Sequence, residues 1–206
     1  EYSGKTIYKE VALKHYATLL KTVFRDNAST YHTYYFDLET GQPAYGATHQ
    51  GHSDTSTWAR GQAWAILGIP LNESYIHSAI FPEVYPSVVE VFLNHLPKDL
   101  IPYWDFDYTD AQPSAKDSSA AAIAACGFLE VAQQKAYPEA EGIAKGLIYQ
   151  LGELYTEAAD GNEGLLQHGV YAFAEGKGID EPNLWGDYFY FEALMRLAND
   201  KWNRYW

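Results

Sequence analysis

Cysteine, methionine and basic side chains are scarce in this sequence. Its 206 residues include one cysteine and one methionine, and 14 Lys and Arg stand against 27 Asp and Glu, which gives a net charge of −13. A single cysteine excludes a disulfide framework within the chain and fits a reducing compartment, so we expect a cytoplasmic protein. The acid excess argues against nucleic acid as a partner, because phosphate binding needs clustered Lys and Arg. No apolar run reaches the roughly 20 residues that cross a bilayer, so we expect no membrane partner.

Apolar and aromatic residues, in contrast, are plentiful. Hydrophobic residues make up 47% of the chain and aromatic residues 16%, with 18 Tyr and 6 Trp. This composition is typical of a folded protein, and the length suits one domain that spans residues 1–206. Aromatic enrichment is a compositional hint of sugar stacking or of a large cleft. Because the first residue is Glu1 and not Met, we expect a fragment or a processed form.

Apolar spacing, together with proline and glycine signals, predicts a series of helices. The predicted helices cover residues 6–23, 58–67, 82–96, 119–135, 139–158 and 186–202. Ser56 or Thr57 is expected to cap the second helix. Gly68 and Pro70 are expected to end it.

Three long polar loops separate these helices, at residues 25–53, 98–116 and 161–182. Connections of this length in a compact protein are usually functional. Residues 31–37 in the first loop are expected to pair as a short strand before the turn at 39–41. Helices joined by alternating long and short links fit an all-α toroid of helical hairpins. Its long loops would gather at one face and form a single site.

One stretch, residues 49–68, combines chemical groups that an ordinary core helix does not. It reads HQGHSDTSTWARGQAWAILG, a loop that runs into a helix and carries two tryptophans, an arginine and two glutamines. Arg60 and Trp64 are four residues apart and therefore share one helix face. A guanidinium can grip a carboxylate through two hydrogen bonds, and an indole can stack on a ring. The stretch indicates a platform for a planar, anionic ligand.

Four ordered motifs give this chain a family resemblance. They are HQG with SDTSTWARGQAW at 49–64, YWDFD at 103–107 with DSSAAAIAACG at 117–127, LLQHGVY at 165–171, and LWGDYFYFEAL at 184–194. With these motifs the sequence resembles the unsaturated glucuronyl hydrolases, glycoside hydrolase family 88. The resemblance covers almost the whole chain.

The resemblance implies a fold, a partner and a gap in the catalytic machinery. Members of this family are about twice as long and fold as a six-hairpin (α/α)6 barrel, and this chain matches their C-terminal half. We therefore expect half of an (α/α)6 toroid, whose cut edge is covered by the missing N-terminal half or by a second copy. The family's general acid and base is one of two aspartates upstream of the matched region. The resemblance thus implies no catalytic residue within this chain.

The family reaction removes an unsaturated uronic acid from the oligosaccharides that polysaccharide lyases release. A carboxylic acid protonates C4 of the C4=C5 double bond, water adds at C5, and the hemiketal collapses to release the next sugar. The resemblance implies this reaction on glycosaminoglycan oligosaccharides, without a metal or a redox cofactor. The expected partner is accordingly an unsaturated uronic-acid oligosaccharide.

Five residues match substrate-pocket positions of the family: His32, Gln50, Trp58, Arg60 and Trp64. The resemblance implies that Trp58 and Trp64 form stacking walls for the sugar. It implies that Gln50 hydrogen-bonds the sugar and the reacting water, and that Arg60 supports the charge of the pocket and positions its carboxyl groups. His32 would contact the substrate or orient the acid.

The loop after HGVY departs from the streptococcal-type relatives, in which two serines and a lysine hold a sulfate group on the next sugar. Here Ala172 and Glu175 stand where the serines would be, and Lys177 remains. A carboxylate repels sulfate, and without the hydroxyl donors the anion lacks partners. We therefore expect these three residues to form a specificity loop that disfavours such sulfated substrates and prefers unsulfated or differently sulfated disaccharides.

Structural interpretations compete with these assignments. Trp58 and Trp64 could be core residues, and His32 could be a satisfied loop histidine. Arg60 could pair with Asp54 or with another buried acid. Asp105 is expected to accept hydrogen bonds from loop backbone, and Asp117 or Ser118 to cap a helix.

Two alternative functions and one alternative site also stay open. An unsaturated rhamnogalacturonyl hydrolase would share the barrel and the chemistry, although the segment from HQG to RGQAW favours the glucuronyl family. A non-catalytic uronide-binding or structural remnant would hold the ligand without protonating it. His49, His52 and Asp54 have a spacing that could hold zinc, but this spacing alone is unspecific, and we expect no metal.

Overall fold

The computed structural model describes residues 4–77, 81–156, 163–199 and 201–203, and it is mainly helical, as predicted. In these ranges the elements are α1 (Thr6–Thr22), β1 (Thr33–Phe36), β2 (Pro43–Ala47), α2 (Ala59–Ile76), α3 (Phe81–Asn94), α4 (Ser118–Gln134), α5 (Ala140–Leu154), β3 (Gly169–Ala172), β4 (Lys177–Glu181) and α6 (Leu184–Ala198). A 3-10 turn, Phe173–Glu175, joins β3 to β4. In the described part of the chain, no helix is long and apolar enough to cross a membrane. The predicted helical positions 157, 158 and 200 lie outside the described residues.

Two antiparallel β-hairpins lie within the first and third of the predicted long loops, in addition to the predicted helices. β1 pairs with β2, with Thr33 opposite Ala47, which confirms the strand predicted at 31–37. β3 pairs with β4 inside the segment predicted as the third long loop. Val170 and Ala172 are buried while Tyr171 between them is exposed, which is the two-residue alternation of a strand. That alternation is only three residues long, too short to outweigh the polar, glycine-rich sequence around it.

Helix α4 forms the centre of the core. Every residue from 118 to 131 is buried, and α2, α5 and α6 pack around the helix. Its run of alanines allows these close approaches, because a small side chain lets neighbouring backbones come near. Cys126 lies in this run as a buried thiol that donates to the carbonyl oxygen of Phe189 at 3.2 Å. Cys126 therefore packs as a small side chain of the core.

The prediction that Gly68 and Pro70 end helix α2 is wrong. The helix continues to Ile76. Pro70 has no N–H for the carbonyl oxygen of Ile66, so the sequence signal for a break is real. The helix persists because this turn lies directly against α4: a Cβ on Gly127 would be 2.6 Å from the Ile66 oxygen. The Gln134 side chain of α4 also donates to the carbonyl oxygen of Pro70 at 3.0 Å. Contacts between helices override the local signal.

The side chains predicted to cap α2 and α4 do not make cap hydrogen bonds. Trp58 occupies the N-cap of α2 without a side-chain cap bond, so neither Ser56 nor Thr57 caps it. Asp117 stands at the N-cap of α4, but its carboxylate makes no cap bond. Instead it binds Arg60. A long-range ion pair replaces the local cap that the sequence predicted.

The contact between α2 and α4 makes Gly127 a sensitive position. We expect Gly127→Ala to lower the free energy of unfolding by about 1–3 kcal/mol, because the added methyl group must push the Ile66 carbonyl away. Urea denaturation measures this loss. Gly142→Ala is the matched control: no atom lies within 4 Å of its Cβ position, so the helix propensity of alanine should stabilise α5. Equal stability of Gly127→Ala and the unmodified protein would contradict the close approach.

Candidate substrate-binding site

The loop before α2 is fixed by hydrogen bonds to its backbone. The N–H of Thr48 donates to Asp54 at 2.7 Å, and the N–H of Gly51 donates to the Thr48 hydroxyl at 2.7 Å. The N–H of His52 donates to the Asp105 carboxylate at 2.9 Å. Because both ends of the Gln50 segment are held in this way, Gln50 is presented from an ordered turn.

Asp105 connects this loop to the YWDFD segment. It is fully buried and also accepts from the Ser56 hydroxyl at 2.8 Å and from the N–H of Asp107 at 3.1 Å. Burial raises the pKa of the Asp105 carboxyl above its ordinary value, against the lowering effect of these donors. The predicted loop-bracing role of Asp105 is therefore confirmed. With no exposed surface, its carboxyl group cannot contact a ligand from this position.

Arg60 is the buried hub of the site. Only 3% of the residue is exposed, and its Nη1 lies 2.8 Å from the Asp117 carboxylate. The same nitrogen donates to the carbonyl oxygen of Val170 and to the Ser119 hydroxyl. Arg60 therefore pairs with a buried acid, as one of the structural interpretations expected. That acid is Asp117 and not Asp54.

The second guanidinium nitrogen of Arg60 contacts β3 and the Gln50 loop. Nη2 donates to the carbonyl oxygen of Tyr171 at 2.9 Å and to Oε1 of Gln50 at 3.3 Å. Trp185 lies near the same guanidinium, with 5.0 Å between Cζ and the ring centroid. Arg60 therefore ties α2, α4, β3 and the Gln50 loop together. Sequence reasoning missed Asp117 and Trp185 here, although both lie within quoted motifs.

His32 and Trp58 complete the group. Their rings meet edge to face with centroids 4.8 Å apart, and the Arg60 Cζ lies 4.5 Å from the Trp58 ring centroid. The backbone N–H of His49 donates to Nδ1 of His32 at 3.0 Å. Burial, together with His49 and Arg60, lowers the pKa of His32 below its ordinary value. A lowered pKa favours the neutral form of the His32 imidazole.

Three of the five predicted residues line one cavity. His32, Trp58 and Trp64 face a space of about 310 Å³ between α1 and α2. Trp64 is 39% exposed, which argues against a purely core role for this side chain. Gln50 and Arg60 are not among the described residues that line this cavity. Arg60 contacts Trp58, which lines the cavity. Gln50 follows His49, whose backbone N–H donates to the cavity residue His32.

The predicted specificity loop lies beside the Gln50 loop and divides into two parts. Ala172 is 2% exposed and belongs to the core side of β3. Glu175 and Lys177 are exposed and pair with each other at 2.6 Å. This pairing lowers the pKa of the Glu175 carboxyl and raises the pKa of the Lys177 amine. Glu175 also approaches Nε2 of His49 at 3.6 Å, so the hairpin tip meets the Gln50 loop.

The zinc interpretation finds no support in the geometry of its three candidates. His49 approaches Glu175, Nδ1 of His52 lies 3.1 Å from Asp107, and Asp54 accepts from the loop backbone. These partners hold the three side chains in separate contacts. Within the described residues, no group of three or more His, Cys, Asp or Glu side chains could hold a metal ion.

Comparison with known proteins confirms the resemblance. The chain is 43% identical over 215 residues to the unsaturated chondroitin disaccharide hydrolase of Streptococcus pyogenes serotype M1, a match that covers 99% of this chain and 52% of the relative. No protein-family model matches. The chain thus spans about half the length of the curated relative it matches.

Solved structures agree with this relationship. The unsaturated glucuronyl hydrolase of Streptococcus agalactiae superposes with a TM-score of 0.91 at 41% identity, covering 100% of this chain and 53% of that chain. A variant of that hydrolase, solved with dGlcA-GalNAc6S, gives a TM-score of 0.87 at 41% identity, with coverage of 100% and 56%. The chain is therefore homologous along its whole length to unsaturated glucuronyl hydrolases.

Proposed function

We propose that these 206 residues are the C-terminal half of an unsaturated glucuronyl hydrolase of glycoside hydrolase family 88 and contribute most of its substrate pocket. The observation that carries this proposal is the group of His32, Gln50, Trp58 and Arg60, held together in a chain that superposes over its whole length on such a hydrolase. The substrate is an unsaturated uronic-acid oligosaccharide from lyase cleavage of a glycosaminoglycan. No metal or redox cofactor is required.

The proposed reaction is the hydration of a vinyl ether. An acid donates a proton to C4, water adds its oxygen to C5 and returns a proton, and the hemiketal opens to release the next sugar. Trp58 and Trp64 would hold the sugar ring, with His32 beside them. The acid is proposed to lie outside these 206 residues. Asp105 is buried and engaged by loop donors, so it is not our candidate.

We propose that the chain forms one domain and half of an (α/α)6 barrel. The support is a set of exposed apolar side chains at its two terminal helices, which are Ile7, Tyr8 and Val11 on α1 and Leu184, Tyr188 and Phe191 on α6. An apolar groove of about 410 Å³ between α2 and α6 extends this surface. Surfaces of this kind are usually covered. The proposed cover is the other half of the barrel, with a second copy as the alternative.

We also propose a cytoplasmic location. The support is the single cysteine, whose buried thiol has a structural contact and forms no disulfide within the chain.

Binding of the unsaturated uronide is the first test of the proposed function. Titration with an unsaturated glucuronyl disaccharide should change the fluorescence of the protein, because Trp58 and Trp64 line the cavity. A disaccharide with a neutral, saturated sugar at the same end is the control and should produce a much smaller change. An unsaturated rhamnogalacturonyl disaccharide tests the related activity in the same way. Equal responses to the glucuronyl disaccharide and the neutral control would contradict the proposal.

The specificity loop predicts a preference for unsulfated substrates. Glu175 already neutralises Lys177, and its carboxylate would repel a sulfate group on the next sugar. In an intact hydrolase that carries this loop, we expect faster turnover of the unsulfated member of a matched disaccharide pair. Glu175→Ser should raise the use of the sulfated member by up to roughly fivefold, a size typical of surface charge contacts. A clear preference of the unmodified loop for the sulfated disaccharide would refute the prediction.

The tight turn at Gly51 should control the position of Gln50. A Cβ at Gly51 would lie 2.5 Å from the Thr48 hydroxyl and 3.2 Å from the Asp105 carboxylate. We expect Gly51→Ala to cost about 1–3 kcal/mol of folding free energy and to weaken uronide binding, because the loop must shift. Thermal unfolding and the fluorescence titration measure the two effects. Gly41→Ala is not a suitable control because Gly41 has a φ of +67°, whereas Gly142→Ala lies in open space on α5.

A further inference from the structure

We propose that Arg25 is a positioning residue of the candidate site. Its guanidinium joins the segment that leads into His32 to the segment that leads into Trp58, and it thereby sets how these two rings face the cavity. Arg25 acts only through these two residues and does not itself contact the ligand. This inference rests on the proposed function and adds a residue that no motif of the sequence indicated.

The guanidinium of Arg25 donates to two segments that are distant in the sequence. Nη1 donates to the carbonyl oxygen of Thr30 at 3.0 Å and to the Thr57 hydroxyl at 3.2 Å. Nη2 donates to the carbonyl oxygens of Ser56 at 2.7 Å and Asp54 at 3.1 Å. A planar guanidinium presents its donors in a fixed fork, so these bonds fix the distance and the angle between the two segments.

The ring of Tyr31 extends this contact to the β1–β2 hairpin. The Arg25 Cζ lies 4.0 Å from the centroid of the ring. On β2, a Cβ at Gly46 would overlap the same ring, so the ring packs directly against the strand backbone. His32 is the next residue in the chain, and the fixed place of Tyr31 therefore limits where the His32 side chain can lie.

Both segments lead directly into rings of the site. His32 comes two positions after Thr30, and Trp58 comes directly after Thr57. The two rings meet edge to face with centroids 4.8 Å apart, and both side chains line the cavity. A shift of one segment relative to the other would therefore change the spacing and the angle of the two rings.

The partners of Arg25 are all neutral. In the part of the chain that the structure describes, its guanidinium contacts three backbone carbonyl oxygens, two hydroxyls and one aromatic ring, and no carboxylate. Arg60 differs, because its guanidinium forms an ion pair with Asp117. A guanidinium that binds only neutral groups can be replaced by a free guanidinium ion without disturbing an ion pair.

Chemical rescue of Arg25→Ala separates a positioning role from general support of the fold. Arg25 borders a cleft of about 680 Å³ between α1 and α3, so a guanidinium ion can reach the place of the lost side chain from solvent. The ion is added at millimolar concentration, far below the molar concentrations that unfold proteins. Sodium chloride at the same concentration is the control salt. Lys21→Ala removes an exposed positive charge from the last turn of α1 and is the matched control variant.

One readout is taken without ligand and one with it. The NMR signal of the His32 ring, assigned by its loss in His32→Gln, is shifted by the ring current of Trp58 and reports the arrangement of the two rings. Calorimetric titration with an unsaturated glucuronyl disaccharide measures binding. Arg25→Ala should move the His32 signal and lower affinity by about 10-fold, the effect of one lost hydrogen bond to a charged group. Guanidinium should reverse both changes, and Lys21→Ala should cause neither.

Arg25→Lys covers the case in which Arg25→Ala does not fold. It keeps the positive charge and most of the stem, but its single nitrogen cannot replace both nitrogens of the fork. We therefore expect the His32 signal and the affinity to change in the same direction as in Arg25→Ala, by a smaller amount.

Three results would overturn the inference. The first is a folded Arg25→Ala or Arg25→Lys protein with the affinity of the unmodified protein. The second is an affinity loss without any movement of the His32 signal. The third is a loss that guanidinium does not reverse better than sodium chloride, since general support of the fold would then explain it. If the unmodified protein does not bind the disaccharide, the proposed function fails, and the His32 signal still tests whether Arg25 positions the rings.

Discussion

We expect Asp117→Asn to lower the free energy of unfolding by about 3–5 kcal/mol, because the charge of Arg60 is then left buried without its carboxylate partner. Both side chains are almost entirely inaccessible, at 4% and 0% exposure, and their nearest atoms are 2.8 Å apart. Water cannot replace the missing charge at this depth. Urea denaturation measures the loss directly.

The same substitution should also weaken uronide binding. With Asp117 neutral, the Arg60 guanidinium loses its ion pair with α4 and can shift. Its hydrogen bond to the Gln50 oxygen should then change as well. Glu141→Gln is the control, because Glu141 forms an exposed ion pair with Lys145 on α5 and should contribute less than about 1 kcal/mol. If Asp117→Asn and Glu141→Gln reduce stability equally, Arg60 is not the buried hub described above.

Removing the Trp58 side chain should have the largest effect on ligand binding. Trp58 lies between His32 and Arg60 and faces the cavity, so Trp58→Ala removes the stacking wall and the support of both neighbours. Central aromatic residues of binding sites commonly contribute 2 kcal/mol or more, and we expect an affinity loss of about 30-fold or greater. Fluorescence is unsuitable for this variant, so calorimetric titration is the measurement.

Two further variants give this result its meaning. Trp58→Phe keeps an aromatic ring and should retain part of the affinity. Tyr45→Ala removes an exposed aromatic side chain of the β1–β2 hairpin and should leave binding unchanged. Full affinity in a folded Trp58→Ala protein would place the ligand elsewhere.

Local sequence signals predicted the parts of this molecule that local interactions determine. The helical body follows from apolar spacing, and the strand at 31–37 was predicted from its position before the turn at 39–41. The bracing role of Asp105 followed from its position in a loop, where a carboxylate usually accepts backbone N–H groups.

Interactions between distant segments account for what the sequence reasoning missed. Asp117 is separated from Arg60 by 57 positions, so its local role as a cap could not be distinguished from an ion pair. The continuation of α2 past Pro70 depends on Gly127 of another helix. The contacts of Arg60 with Gln50 and of the His49 N–H with His32 also join separate segments, and no single motif contains them.

The loss of absorbance from the substrate double bond tests the central claim most directly. The 206-residue chain alone should bind an unsaturated glucuronyl disaccharide and leave its absorbance unchanged, because the proposed acid lies outside these residues. Joined to the N-terminal half of a streptococcal relative, it should consume the double bond. Hydration by the chain alone would contradict the placement of the acid. A joined protein that folds and binds the disaccharide but leaves the double bond intact would contradict the hydrolase itself and favour a non-catalytic uronide-binding remnant.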